Sequence, residues 1–234
     1  MWDSNYRGVW HLHEATGGPA VDSTNTSNGS PFGAVTAANG QVDGAQSFDG
    51  SSGFIATGNT TVYPQFTYSA WLNPLSTSLD LMEVISKRSY CANSTNDFPT
   101  ALFLNTAGTM ATVFVDSGNN YVADLSTTSE AFSNNQWHHI TATYNGTTLA
   151  IYVDGVLSNS VNGAVSVSNN SQPWTFGRAS ENGGGCGADR SFYNGMMDEV
   201  RISNVARPAE WIMTEFNNQS SPATFYFISG ASSP

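Results

Sequence analysis

The stretch Gln136–Gly155, QWHHITATYNGTTLAIYVDG, decides how the rest of the chain is read. Side chains alternate between the two faces of a strand. Ile140, Ala142 and Tyr144 therefore share one face with His138, while Trp137, His139, Thr141 and Thr143 share the other. Beyond Asn145-Gly146 the alternation resumes: Leu149, Ile151 and Val153 against Thr148, Ala150 and Tyr152. Asn-Gly supplies the positive φ values of a tight two-residue turn, and Asp154-Gly155 offers a second turn of the same kind. Two hairpin strands with one packed face each are half of a β-sandwich. The neighbouring histidines invite a metal or acid–base reading. A zinc ion needs three or four ligands, however, and consecutive residues on a strand point to opposite faces. His138 and His139 thus read as packed, hydrogen-bonded scaffold.

Working outward, short apolar runs alternate with turn clusters in both directions. They are Gly8–Leu12, Ala45–Phe48, Phe66–Leu72, Glu83–Ser86, Thr100–Leu104 and Met110–Val115, followed by Tyr121–Leu125, Trp174–Phe176 and Asp198–Ile202. Only Asn204–Gln219 reads as helix. Pro208 suits a first turn, and Trp211, Ile212, Glu215 and Phe216 follow at helical spacing. The pattern predicts two or three turns packed on the edge of the sandwich. With 234 residues, 39% of them hydrophobic and only 11% charged, the chain suits one large core and turn-rich β-structure. The expectation is a single all-β domain over residues 1–234, excised from a longer protein.

Charge narrows the partners. Seven basic and eighteen acidic residues give a net charge of −11, a field that repels nucleic acid and anionic lipid. No apolar run is long enough to insert into a membrane. The two cysteines, Cys91 and Cys186, lie in Gly/Ser/Asn-rich segments; they could form a disulfide in an oxidising compartment or remain two thiols.

Several stretches, in order, resemble the laminin-G-like (concanavalin A-like, pentraxin-like) jelly-roll domains of secreted bacterial multidomain proteins. They are GVWHLHE (8–14), DSTNTSNGS (22–30), VDGAQSFDGSSGFI (42–55) and FTYSAWLNP (66–74), then the opening stretch, then FYNGMMDEVRISNVARPAEWIMTEFNNQ (192–219). The resemblance implies a sandwich of two curved antiparallel sheets, six or seven strands each, with one short C-terminal helix. It also implies a secreted or cell-surface setting and a monomeric domain within a larger chain. Many such domains hold a structural Ca²⁺ through an aspartate of the last motif and groups near the N-terminal strands. That points first to Asp198, then to Asp49 and Asp22.

Hydrolase chemistry finds little support. The E-x-D-x-x-E pattern of laminarinase-like enzymes of this fold is missing, as are G-x-S-x-G and H-E-x-x-H. Asp198 and Glu199 are consecutive, and so are expected to face opposite ways on a strand, a poor acid pair. The segments 86–99 and 177–195 are more informative. In the resembling family the corresponding loops lie at one end of the sandwich beside the concave face, where a Cys91–Cys186 disulfide would pin them together. They carry Lys87, Arg88, Arg178 and Arg190, four of the seven basic residues, beside Tyr90, Tyr193, Asn93 and Asn182. Rings stack on sugar faces, amides bind hydroxyls, and arginine reads carboxylate or sulfate in bidentate fashion. Asp97, Glu181 and Asp189 could equally neutralise these bases as surface pairs. The leading expectation is a non-catalytic, lectin-like module for a polysaccharide or glycan, with anionic glycans among the candidates. The rivals are an adhesion or spacer domain and a divergent polysaccharide-degrading enzyme.

Overall fold

The computed structural model describes residues 2–75, 81–88, 99–105, 108–116, 121–128, 133–179 and 191–221. The strands of the first half are β1 (Tyr6–Trp10), β2 (Gly29–Phe32), β3 (Val35–Asn39), β4 (Gly44–Asp49), β5 (Phe54–Thr57), β6 (Phe66–Pro74), β7 (Leu81–Ser86) and β8 (Thr100–Asn105). Then come β9 (Met110–Asp116), β10 (Tyr121–Ser126), β11 (His138–Tyr144), β12 (Thr148–Val153), β13 (Val156–Asn162), β14 (Thr175–Phe176), β15 (Asn194–Ser203) and the helix α1 (Ala209–Ser220). Two antiparallel sheets result. One runs β13-β12-β11-β6-β15-β4-β3, with β1 also paired to β15, and the other runs β10-β9-β8-β7-β14-β5-β2. The first thus holds eight strands, more than the six or seven expected, because β1 pairs with the second half of β15 while β4 pairs with its first half.

The hairpin β11–β12 pairs from Tyr144↔Leu149 to Ile140↔Val153, and Ile140, Ala142, Tyr144, Leu149 and Ile151 all enter the core between the sheets. Its turn differs from the expected one. Only Gly146 has positive φ (95°); Asn145 instead accepts the Thr147 and Thr148 N–H groups on its Oδ1, and Asn145 N–H donates to the Thr148 carbonyl. Glycine at the first central position is the type II′ arrangement. The type I′ turn is the next one, where Asp154 (φ 50°) and Gly155 (φ 79°) join β12 to β13. Asp154 also ties that turn to β11. One oxygen meets His138 Nδ1 at 2.8 Å and the other accepts the His139 N–H at 2.8 Å.

Trp10 and Trp174 are fully buried in the core, and each indole N–H finds a carbonyl, of Ser27 and Thr61 respectively. Helix α1 lies on the outer face of the eight-stranded sheet rather than on the sandwich edge. Ile212 packs on Ala150 and Tyr152 of β12, Phe216 stacks against Trp71 at 5.6 Å, and Ser69 donates to Glu215 at 2.9 Å. The small and polar outer residues of β6 and β11, Ser69, Thr141 and Thr143 among them, are buried for that reason.

Candidate functional site

Strand register lays out the outer side of the seven-stranded sheet, where Glu83, Ser86, Ala101, Thr112, Phe114 and Thr175 are nonetheless buried. Glu83, Phe103, Thr112 and Ser126 form one row across β7, β8, β9 and β10. Ala56, Thr175, Ser86, Ala101, Phe114 and Asp124 form the next. Their chain neighbours Ile55, Leu102, Leu104, Val113 and Val115 point into the core, so these rows face outward. Arg88, just past β7, folds back to form an ion pair with Glu83, and its guanidinium lies 5.7 Å from the Phe103 ring and 6.0 Å from that of Phe114. Burial pushes the Glu83 carboxyl up, with Arg88 and Ser86 opposing. Both partners are nearly closed to solvent, so the charge of Arg88 is spent on Glu83.

Arg178 makes the second station. Its guanidinium sits 3.8 Å over the Phe54 ring and 6.0 Å from Phe192. Thr175 Oγ1 donates to the Arg178 carbonyl at 2.7 Å and fixes the backbone there. Phe32 stacks on Phe54 at 4.8 Å, with the planes 10° apart, and remains 48% exposed. From Phe54 on β5 to Phe103 on β8 is three strand spacings, about 14 Å. The face therefore carries two arginine–aromatic stations, and the one at Arg178 is the more open of the two.

Two expected ligand residues are placed otherwise. Lys87 is fully buried, its ammonium donating to the Asn170 carbonyl (3.1 Å), Asn170 Oδ1 (3.2 Å) and the Gln172 carbonyl (2.6 Å). Burial pulls its pKa down to about 8. It fastens the 170–172 segment to β7 and presents no charge to a ligand. Tyr193 is a core residue, edge-on to Phe48 at 5.9 Å, with its hydroxyl donating to the Met196 carbonyl. Tyr90, Asn93, Asn182, Arg190 and the Cys91–Cys186 pair lie outside the described residues.

The three aspartates expected at a metal do not converge, and among the described residues no group of three or more His, Cys, Asp or Glu could hold an ion. Asp22 is fully buried and saturated: Oδ1 accepts the Val9 and Thr24 N–H groups, and Oδ2 those of Thr26 and Ser27. It anchors its loop to β1. Asp49 caps the following turn, accepting from Ser51, Ser52 and Gly53. Burial raises its carboxyl, but those donors outweigh it and hold the group well below the usual range. Neither has an oxygen to spare for a cation. Asp198 does. Its Oδ2 accepts the Val42 N–H at 2.8 Å, while the buried Oδ1 has no partner. Burial pushes its carboxyl up to about 7. A Cβ on Gly40 would come within 2.7 Å of Asp198 Oδ2 and 2.2 Å of the Gly44 carbonyl, so the 40–44 turn wraps the carboxylate closely. Of the three aspartates, Asp198 alone keeps an oxygen with no hydrogen-bond partner.

Asp198 and Glu199 do not face opposite ways. A bulge in β15, with Glu199 at φ 53°, lets both Met197 and Val200 point into the core and leaves the two acids between them on the outer side. Glu199 is nonetheless committed, to Arg201 and to His11 Nδ1 at 2.5 Å. Sequence reasoning missed the charged cluster that this begins. Under α1, Glu215 meets Arg201 Nη1 at 3.3 Å, His139 Nε2 at 3.5 Å and Ser69 Oγ at 2.9 Å. Burial works to raise the Glu215 carboxyl, but Arg201, His139 and Ser69 hold it at about 2. The signal was available: Ile212, Glu215 and Gln219 recur at helical spacing and share one face.

The concanavalin A-like lectin/glucanases family model matches residues 48–213. The chain belongs to that superfamily. Among curated proteins, no sequence matches it. Several solved structures share the fold at 16% identity. The binding domain of Paraclostridial mosquitocidal protein 1 matches with a TM-score of 0.68, over 92% of this chain and 52% of its own. Domain 4 of an extracellular arabinanase from Geobacillus stearothermophilus, solved with arabinotriose, matches with 0.65, over 89% and 97%. The botulinum neurotoxin DC binding domain, in complex with rat synaptotagmin II, gives 0.66 over 92% and 52%. This superfamily member thus spans about half the length of the toxin binding domains. No helix among its described residues is long and apolar enough to cross a membrane.

Proposed function

We propose that this domain is a non-catalytic carbohydrate-binding module whose seven-stranded sheet binds an anionic glycan, such as a uronate or sulfated polysaccharide, on its outer face. The observation that carries the reading is the Arg178 platform: a guanidinium laid on Phe54, next to the exposed ring of Phe32. The rings offer a stacking surface, and the guanidinium places a positive charge beside it in a chain that is otherwise strongly acidic. Sugar chains are partners of other proteins with this fold. The arabinanase domain was solved with arabinotriose, and botulinum neurotoxin type C depends on two ganglioside molecules for cell entry. The commitment of Glu199 to Arg201 and His11, and the enclosure of Asp198 by the 40–44 turn, favour binding over hydrolysis. Action outside the cell, as part of a larger secreted or surface protein, and one structural Ca²⁺ at Asp198 belong to the same reading.

The test is a glycan array probed with the wild-type domain and with Arg178→Ala. Selective binding to uronate- or sulfate-bearing glycans, lost in a variant that melts at the wild-type temperature, is the expected result. Binding that Arg178→Ala leaves intact, or capture of a protein ligand alone, overturns it.

A further inference from the structure

We infer that the groove between the N-terminal segment and α1 is a second carbohydrate site, one that takes an uncharged terminal sugar residue. It is a cavity of about 320 Å³ on the opposite side of the sandwich from Arg178, at the small end of ligand pockets.

Its walls are aromatic and braced. Trp2 and Tyr6 meet edge to face at 5.1 Å on one side, and Trp211 of α1 stands on the other, 41% exposed. The Arg207 guanidinium is held between the Tyr6 ring (4.6 Å) and the Trp211 ring (4.5 Å), and Asp3 grips it through two hydrogen bonds of 2.7 and 2.8 Å. The Arg201 guanidinium lies 4.8 Å from Trp2. Each ring is therefore fixed by a cation before any ligand arrives, which lowers the ordering cost of binding.

The floor supplies polar groups that the fold leaves over. Gln219 is 95% buried by its 5% exposure, and its Oε1 accepts the Trp71 indole N–H at 2.5 Å. That bond fixes which end of the amide is which, and Nε2 is left without an acceptor among the described residues. Arg201 Nε, buried in the same floor, has none either. The Tyr6 hydroxyl and the Glu215 carboxylate stand beside them, 3.4 Å apart. Stacking rings above buried donors and an acceptor are the complement of a sugar ring with its hydroxyls.

Charge selects a neutral ligand. Arg201 is shared between Glu199 and Glu215, and Arg207 is held by Asp3, so each of these charges already has a partner and none is left to draw an ion. A free cation would be repelled by Arg201 and Arg207, and an anion by Asp3 and Glu215.

The experiment reads indole N–H signals in ¹H–¹⁵N spectra while methyl glycosides of glucose, galactose, mannose, arabinose and N-acetylglucosamine are titrated in. Trp2→Phe and Trp211→Phe assign the two groove signals. The expected result is a saturable shift of both with at least one neutral glycoside, while the core residues Trp10 and Trp174 stay fixed. Thr214→Trp, which fills the groove from an exposed helix position and leaves the wall and floor groups in place, should weaken that binding at least about tenfold. Arg178→Ala should leave it unchanged, so failure of the sheet-face site and failure of this one are separable. Stationary Trp2 and Trp211 signals across the panel, full binding by Thr214→Trp, or stronger shifts with methyl glucuronide or choline would overturn the inference.

Discussion

Glu215→Gln removes one charge from the seam between α1 and the eight-stranded sheet while keeping the shape of the side chain. In the wild-type protein the carboxyl is held at about 2 against an ordinary 4.5, although burial alone would raise it. Arg201, His139 and Ser69 are what overcome burial, at 3.3, 3.5 and 2.9 Å. Holding a carboxyl that far down corresponds to about 3 kcal/mol of interaction favouring the charged form. Because the folded value lies below the unfolded one, this stability is fully present above the unfolded pKa. It is lost as pH falls through about 4 toward 2. Glu215→Gln should therefore cost about 3 kcal/mol at pH 7, a fall in melting temperature of roughly 6–12 °C for a chain of this size. Urea unfolding of both proteins at pH 7 and at pH 3 is the assay, and the gap between them should narrow at the lower pH. A melting point within about 1 °C of wild type, or a gap of the same size at both pH values, would refute the argument that this carboxylate clamps the helix.

Asp154→Ala should lose about 2 kcal/mol, because it removes the acceptor for His138 and for the His139 N–H and forces alanine into positive φ; Asp154→Asn, which tolerates that backbone, should lose less in chemical denaturation. Asp22→Asn turns an N–H₂ toward either the Val9 and Thr24 donors or the Thr26 and Ser27 donors, and should destabilise by about 2–3 kcal/mol in the same assay. Millimolar Ca²⁺ should raise the melting temperature relative to excess chelator, and Asp198→Ala should abolish that difference; equal melting with and without Ca²⁺ removes the ion from the account.

The central strands were legible because one face alternates cleanly: β6, β11, β12 and β9 each lie inside a sheet and bury one row of apolar residues. Of the four strands that sequence missed, β2, β3 and β13 are edges of the two sheets, where GSPF, VTAAN and VLSNSVN are mostly exposed or half-exposed, and the fourth, β5, lies inside its sheet but has only four residues. An edge strand has a neighbour on one side only, so little apolar periodicity is demanded of it. Alternation also misled at β15, where the extra residue of the bulge put Asp198 and Glu199 on one side. Residue type and loop position pointed to Arg88 and Arg178; the structure pairs Arg88 with buried Glu83 and lays Arg178 on Phe54. Type and position could not show that Lys87 turns inward to three acceptors, or that Tyr193 fills the core beside Phe48. Those outcomes depend on contacts with residues 83 and more than 100 positions away in the chain, which no local pattern encodes.

Under the proposed function, the outer face of the seven-stranded sheet binds a glycan at Arg178, Phe54 and Phe32 without cleaving it. Isothermal titration with the anionic polysaccharide chosen by the array, for wild type and Arg178→Ala, coupled to a reducing-end assay on the same mixtures, tests it most directly. The account predicts saturable binding by the wild type, a loss of about tenfold or more in the variant as expected for removing a charge-assisted bidentate contact, and no new reducing ends. Equal affinities for the two proteins, or reducing ends that accumulate with time, would contradict it.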